Sequence, residues 1–302
     1  MWAHRRASGL SRRRKVRCDY HPVNFVTLHT RAGLGDNYTF TGGIDEEAML
    51  EIYPAIALNL VIFALLGWLY SLFTNKVTHV DSMWSLFFLV AYLTGLCYLN
   101  EISNVQLATL VALVIWSLRL SIHLTIRNWA KVEDIRYQHI RANNEPFFKW
   151  KSSYIIFLFQ ALLALLIALP LVSISQQAIS YDVFTKIGLA LFAVGFLIEL
   201  LADRQLQTFL KSNKTHGVLN TGLWRYSRHP NYFGECLIWW GFYIIAMPSS
   251  SIFILISPIL MTILLVKISG ADLMESTITE RRPGYKAYVN STSKFIPWPP
   301  KN

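Results

Sequence analysis

Glu199, Asp203 and Gln207 fall at i, i+4 and i+8, and Lys211 extends the row by another four. On a helix these four share one face. Glu199 lies inside the apolar run GFLIELLAD. An ionisable group in such a run is costly unless it meets a partner, a ligand or water, so a binding role is expected. A solvated helix end carrying i,i+4 pairs is the plainer alternative. The next stretch, HGVLNTGLWRYSRHPNYFGE, gathers Arg225, Tyr226, Arg228, His229, Asn231, Tyr232 and Glu235. Pro230 suits the first turn of a helix, where its missing N–H would have no partner anyway. The free N–H groups and positive dipole end of that helix favour an anion. Arg225, Arg228 and His229 are therefore expected to hold phosphates, with Asn231 and Tyr232 adding hydrogen bonds. Orienting basic charge beside an interfacial Trp224 and Tyr226 explains the same charges more simply.

Earlier in the chain, Trp116, Arg119 and His123 are spaced for one helix face. Asp81 and Trp84 open the preceding apolar run. An Asp81–Arg119 pair lining a cavity inside a bundle is expected, and Asp81, Arg119 and His123 are the candidate catalytic residues. Arg119 reaching out to the membrane boundary is the alternative. In the tail, Asp272, Glu275, Arg281, Arg282 and Tyr285 either fold back over the same surface or form an amphipathic interfacial helix. The histidines show no HExxH arrangement, and Cys18, Cys97 and Cys236 are scattered, so neither a metal site nor a disulfide framework is expected.

The elements that must carry these residues follow from composition. The 302 residues are 53% hydrophobic and 15% charged, with a mean hydropathy of +0.36. A soluble domain carries about 25% charged residues, so a water-soluble fold is excluded. Seven apolar runs are read near 52–73, 82–99, 105–126, 154–174, 183–202, 232–247 and 252–268. Most approach the roughly 20 residues that cross a bilayer. Lipid offers the backbone no partners, so each should be a helix. The fold class is therefore an all-α, polytopic membrane bundle of about seven transmembrane helices. The cofactor pocket is expected on its cytoplasmic side, formed by the C-terminal half.

Lys and Arg alternate between loops. They are dense in 127–151, in 211–228 and after 281, and absent from 100–104, 175–182 and 248–251. By the positive-inside rule the basic loops and the C-terminus are cytoplasmic. The net charge of +10 then reflects orientation, and no nucleic-acid partner is expected. Residues 1–48 form a basic extension rich in Arg, which this orientation would place on the opposite side. Translation from Met49 resolves that conflict, and a disordered basic tail is the alternative. Residues 49–302 are read as one membrane domain, with the cofactor region at 199–302.

LWRYSRHPNYFGE (residues 223–235) resembles the steroid 5-alpha-reductase C-terminal-type membrane family, and most closely its uncharacterised bacterial and plant branch. ERRPGYKAY, SKFIPWPP, WSLRLSIHL and VDSMW carry the same resemblance, which covers about residues 50–300. RHPNYFGE is shared, in altered form, with isoprenylcysteine carboxyl methyltransferases. The resemblance implies a seven-helix bundle whose last helices and loops wrap a nucleotide cofactor, NADPH in the steroid reductases. It maps cofactor contacts onto Glu199, Asp203, Asn231 and Glu235, and basic contacts onto Arg225, Arg228 and His229. Gln207, Lys211, Tyr226, Tyr232, Glu275 and Tyr285 complete the expected cofactor set. The Glu and Tyr that those reductases set against a substrate carbonyl find no match here, where Asp81 and His123 stand instead.

Three functions are therefore expected in order. The first is NADPH-dependent reduction of a hydrophobic conjugated carbonyl, or of a steroid- or isoprenoid-like lipid. The second is methyl transfer from S-adenosylmethionine, a cation without phosphate. The third is a transporter or receptor, disfavoured because no internal repeat is visible.

Overall fold

In the computed structural model the description covers residues 46–129, 131–177, 181–212, 217–268 and 284–300, and these lie in the unit Gly42–Asn302. The expectations for the N-terminal extension up to residue 45, and for Asp272, Glu275, Arg281 and Arg282, lie outside the described residues.

The described residues are helical and irregular, with no strand among them. In chain order the helices are α1 (Glu46–Thr74), α2 (His79–Leu96), α3 (Asn104–Asn128), the short α4 (Ile135–Asn144) and α5 (Phe148–Ser152). A π turn (Ser153–Leu158) leads into α6 (Phe159–Ile167), followed by α7 (Leu169–Gln176) and α8 (Val183–Lys211). Then come α9 (Pro230–Ala246), α10 (Ile256–Ile263) with a π turn after it, and α11 (Tyr285–Ser291). Each of the seven apolar runs coincides with helix. Four helical stretches are long and apolar enough to cross a membrane: Ile52–Thr74, Asn104–Asn128, Phe148–Ile167 and Val183–Lys211. The second and sixth runs are the short helices α2 and α9, with 18 and 17 residues.

The helix starts follow local chemistry. Ser103 caps α3 in a reciprocal box with Gln106, and Asp182 accepts from the backbone N–H groups of Phe184 and Thr185 at the start of α8. Pro230 opens α9. On α3, Leu107, Val111, Ile115, Leu118, Ile122 and Ile126 form an exposed apolar stripe, while Trp116 on the other face is fully buried. α1 and α8 expose similar side chains, such as Leu58, Leu66, Val194 and Leu197. Apolar stripes of this length on the outside of a bundle fit a lipid solvent.

α8 and α9 pack more closely than any other pair in the fold. They run antiparallel, and their backbones meet at two glycine pairs. A Cβ on Gly188 would lie 2.6 Å from the carbonyl oxygen of Gly241, and one on Gly195 would lie 2.5 Å from that of Gly234. The relation is reciprocal: Cβ atoms on Gly241 and Gly234 would meet the carbonyl oxygens of Gly188 and Gly195 at 2.7 and 2.6 Å. Small residues at such seams let helix backbones approach where lipid supplies no hydrophobic drive for association. The core beside the seam is aromatic. Phe88, Trp116, Trp239 and Phe242 are fully buried and meet at ring-centroid distances of 4.4–6.1 Å.

Candidate functional site

The polar faces of α3 and α8 meet side by side, both helices running in the same direction. Trp116 donates its indole N–H to Glu199 Oε2 at 3.0 Å. Arg119 lies 3.0 Å from Glu199 Oε1 through Nη2 and donates from Nη1 to Asp203 Oδ2 at 2.8 Å. His123 Nε2 is 3.7 Å from Asp203 Oδ2, and Gln207 Nε2 donates to His123 Nδ1 at 3.1 Å. The three-then-four spacing on α3 thus meets the four-then-four spacing on α8 in register. Each residue on the α3 face finds the carboxyl or amide one step along α8.

α9 closes the cluster from the other side, because the glycine seam brings its first turns against Glu199 and Asp203. Asn231 Nδ2 donates to Asp203 Oδ1 at 3.3 Å. Glu235, one turn further on, is buried next to the charges of Arg119 and Asp203 and beside the Trp84 indole. Tyr232 stacks parallel on His229 at 5.5 Å and lies within the fields of Asp203, Glu235, Arg127 and Arg136. Three carboxyls therefore surround one guanidinium. The cluster is also not self-sufficient in hydrogen bonds: Arg119 Nε, Asn231 Oδ1 and Trp239 Nε1 are buried without hydrogen-bond partners. Such groups are costly to bury, which makes this cluster the candidate site.

Asp81 does not pair with Arg119. It accepts from Arg136 Nη2 at 2.8 Å and from the Tyr137 hydroxyl at 2.5 Å. α4 and the chain before it fold against the start of α2, so Asp81 meets α4 before it can reach α3. The same clasp ties Val77 N to Glu133 Oε1, Asp134 N to Thr78 Oγ1, and Arg141 to Glu133. Burial pushes the Asp134 carboxyl up, but hydrogen bonds from the side chain and backbone of Arg136 outweigh it and leave the group below its ordinary value. Burial, and next the Asp81 charge, push the Tyr137 phenol well above its ordinary value.

The remaining expected residues divide. Glu199, Asp203, Gln207, Asn231, Glu235, Arg119 and His123 come together, with Tyr232 at their edge. Lys211, Arg225 and Tyr226 are exposed. Arg228 is buried and donates from Nη1 to the carbonyls of Val289 and Thr292, both at 2.8 Å. Its backbone N–H bonds to Ser293 O, and Ser227 Oγ to Phe295 O. The tail thus wraps the RHP turn, and Tyr285 is buried against Tyr288 within it. Trp84 beside Glu235, Trp239 against Trp116 and the Tyr137 hydroxyl on Asp81 are contacts that sequence reasoning did not assign. The glycine seam was also unassigned, although Gly188, Gly195, Gly234 and Gly241 are spaced seven apart on each helix and could have signalled it.

A family profile described as "Protein of unknown function (DUF1295)" matches residues 67–292. An uncharacterised protein of the fission yeast Schizosaccharomyces pombe is 26% identical over 294 aligned positions, covering 85% of this chain and 84% of that protein. No solved structure matches. With three quarters of its length matched, including the α3, α8 and α9 faces that build the cluster, this chain belongs to the DUF1295 family, within the steroid 5-alpha-reductase-like membrane superfamily.

Proposed function

We propose that the protein is a membrane-embedded, NADPH-dependent reductase of a hydrophobic conjugated carbonyl lipid. The observation that carries this reading is the buried cluster of Arg119, Glu199, Asp203, Asn231 and Glu235 with unpartnered atoms at its centre. Carboxylates accept from ribose hydroxyls and from a carboxamide N–H. Asn231 Oδ1 offers one more acceptor, and Arg119 Nε a donor. That mixture fits the nicotinamide riboside end of the cofactor. The phosphates fall to the exposed Arg225 and Lys211 and to the start of α9. Arg228 is committed to tail carbonyls and serves by holding the RHP turn in shape.

When bound, the cofactor supplies a hydride to the carbon beta to the carbonyl. This chain's residues do the rest. Arg119 fixes Glu199 and Asp203 in place, and Trp116 orients Glu199. The carboxyls at the cluster hold the proton that the product requires. The aromatic wall of Phe88, Trp116 and Trp239 excludes water and suits a flat apolar substrate arriving from the bilayer. The basic ends of α3 and α8 then face the cytoplasm, by the distribution of Lys and Arg in the loops.

A second reading is S-adenosylmethionine-dependent methyl transfer. The surplus of three carboxyls over one guanidinium supports it, because a sulfonium cation would balance that charge. Titration of the purified protein in detergent with NADPH, NADH and S-adenosylmethionine decides between them. Saturable NADPH binding that is lost in Asp203→Asn supports the reductase. Binding of S-adenosylmethionine alone overturns it.

A further inference from the structure

The reductase reading requires one proton to cross from water to a buried site in each turnover, taken up after hydride delivery, and a methyltransferase releases one when its acceptor is a protonated group such as a thiol. The interior cluster is dry at its deep end. Among the groups that can pass a proton, side-chain exposure falls from 14% at His123 to 8% at Asp203 and 2% at Glu199, with the bridging Arg119 at 15%. His123 is the station nearest the outside. It is flanked by the charges of Asp203, Arg119 and Arg127, with Gln207 on its remaining side.

We propose that His123 carries protons between water and Asp203, and that Gln207 is the positioning residue that sets its tautomer. With the amide nitrogen of Gln207 facing the ring, its N–H donates and Nδ1 of His123 accepts. The hydrogen of the neutral ring is then on Nε2, the nitrogen that faces Asp203. In the uptake direction, water gives a proton to Nδ1, and Gln207 turns its amide so that Oε1 accepts the new N–H. The Nε2–H bond breaks as an O–H bond forms on Asp203 Oδ2. A small swing of the imidazole closes the present 3.7 Å to the roughly 3 Å of a hydrogen bond. One proton has then moved from water to Asp203, and the ring is neutral again with its hydrogen on Nδ1. The imidazole then swings out to water, gains a proton at Nε2, loses one from Nδ1 with no net transfer, and swings back to Asp203. In the release direction each step reverses. Asp203 is held for this role by Arg119 Nη1 at 2.8 Å and Asn231 Nδ2 at 3.3 Å.

The inference rests on the reading of this cluster as the chemical centre, and its test separates the two. Full-length protein labelled with 15N-histidine, in detergent, reports the tautomer of His123 by nitrogen chemical shift, with His123→Gln supplying the assignment. The expected result is a neutral ring protonated at Nε2, whose preference is lost in Gln207→Leu. A ring protonated at Nδ1 in the native protein overturns the relay, whatever cofactor is bound. NADPH oxidation with a long-chain α,β-unsaturated ketone as probe gives the second readout. His123→Gln should keep NADPH affinity, lose about 100-fold in turnover and regain rate with added imidazole. Gln207→Glu, which can still engage the ring, should retain more activity than Gln207→Leu and shift the pH profile. Unchanged turnover in His123→Gln overturns the relay. Absence of NADPH binding in the native protein overturns the reductase reading instead. The same variants are then read in S-adenosylmethionine-dependent transfer to a long-chain thiol.

Discussion

The protein builds two ion-pair clusters from similar parts, one half-buried and one buried. One joins Asp81, Arg136, Tyr137 and Asp134 where α4 folds against α2. The other joins Arg119, Glu199, Asp203, Asn231 and Glu235 between α3, α8 and α9. In the first, each carboxylate receives donors from its immediate neighbours, and none of its polar side-chain atoms is buried without a partner. In the second, acids outnumber bases and buried atoms remain unpaired. Paired charge alone therefore does not mark a site. What separates them is whether hydrogen-bonding capacity is closed within the cluster. The closed cluster fastens a loop, and the open one is where the proposed function places a ligand.

The strongest way to break this contrast is Arg119→Met. It strands Glu199 and Asp203 without their cation, and removing one partner of a buried pair costs about 3–5 kcal/mol. Thermal unfolding in detergent should show that loss, and nucleotide binding should vanish. Gly195→Leu comes next. The side chain would drive into the Gly234 carbonyl, and overpacking of this kind costs roughly 1–3 kcal/mol. It should also part Asp203 from Asn231, so affinity should fall along with melting temperature. Arg136→Met sharpens the comparison from the other side. It should cost about 1–3 kcal/mol by leaving Asp81 short of a donor, yet nucleotide affinity should stay within about twofold.

The smallest effect is a pH dependence at Asp134. Its folded-state pKa lies below the unfolded value of about 4, so its contribution is complete at pH values above that and is lost as pH falls through the folded value. The melting-temperature gap between the native protein and Asp134→Asn should be open at pH 7 and close as the medium is acidified below pH 4. A gap independent of pH would show that Asp134 acts by shape alone.

The sequence was most legible along single helices. Glu199, Asp203 and Gln207, like Trp116, Arg119 and His123, declare a shared face by spacing, and the structure turns both faces toward each other. The apolar runs likewise located the helices, because lipid leaves the backbone no other arrangement. Pairing between distant elements was less legible. Asp81 and Arg119 both looked like bundle-facing ions, but nothing local says that α4 folds back to supply Arg136 and Tyr137. Arg228 looked like a phosphate ligand because its type and neighbours suit one. Its employment depends on a tail about 60 residues further along, whose carbonyls no composition argument could assign to it. Lys211 continued the stripe in register, but α8 has by then emerged from its neighbours, so the residue is exposed.

The glycine contact between α8 and α9 has a mechanical consequence. Two rods welded backbone to backbone cannot be pried apart to admit a guest. α3, by contrast, meets α8 through side chains, Trp116 and Arg119 on Glu199 and Asp203, rather than through backbone. On the proposed function, a ligand would therefore reach the cluster past the α3 flank, because the α8–α9 seam leaves it no way through.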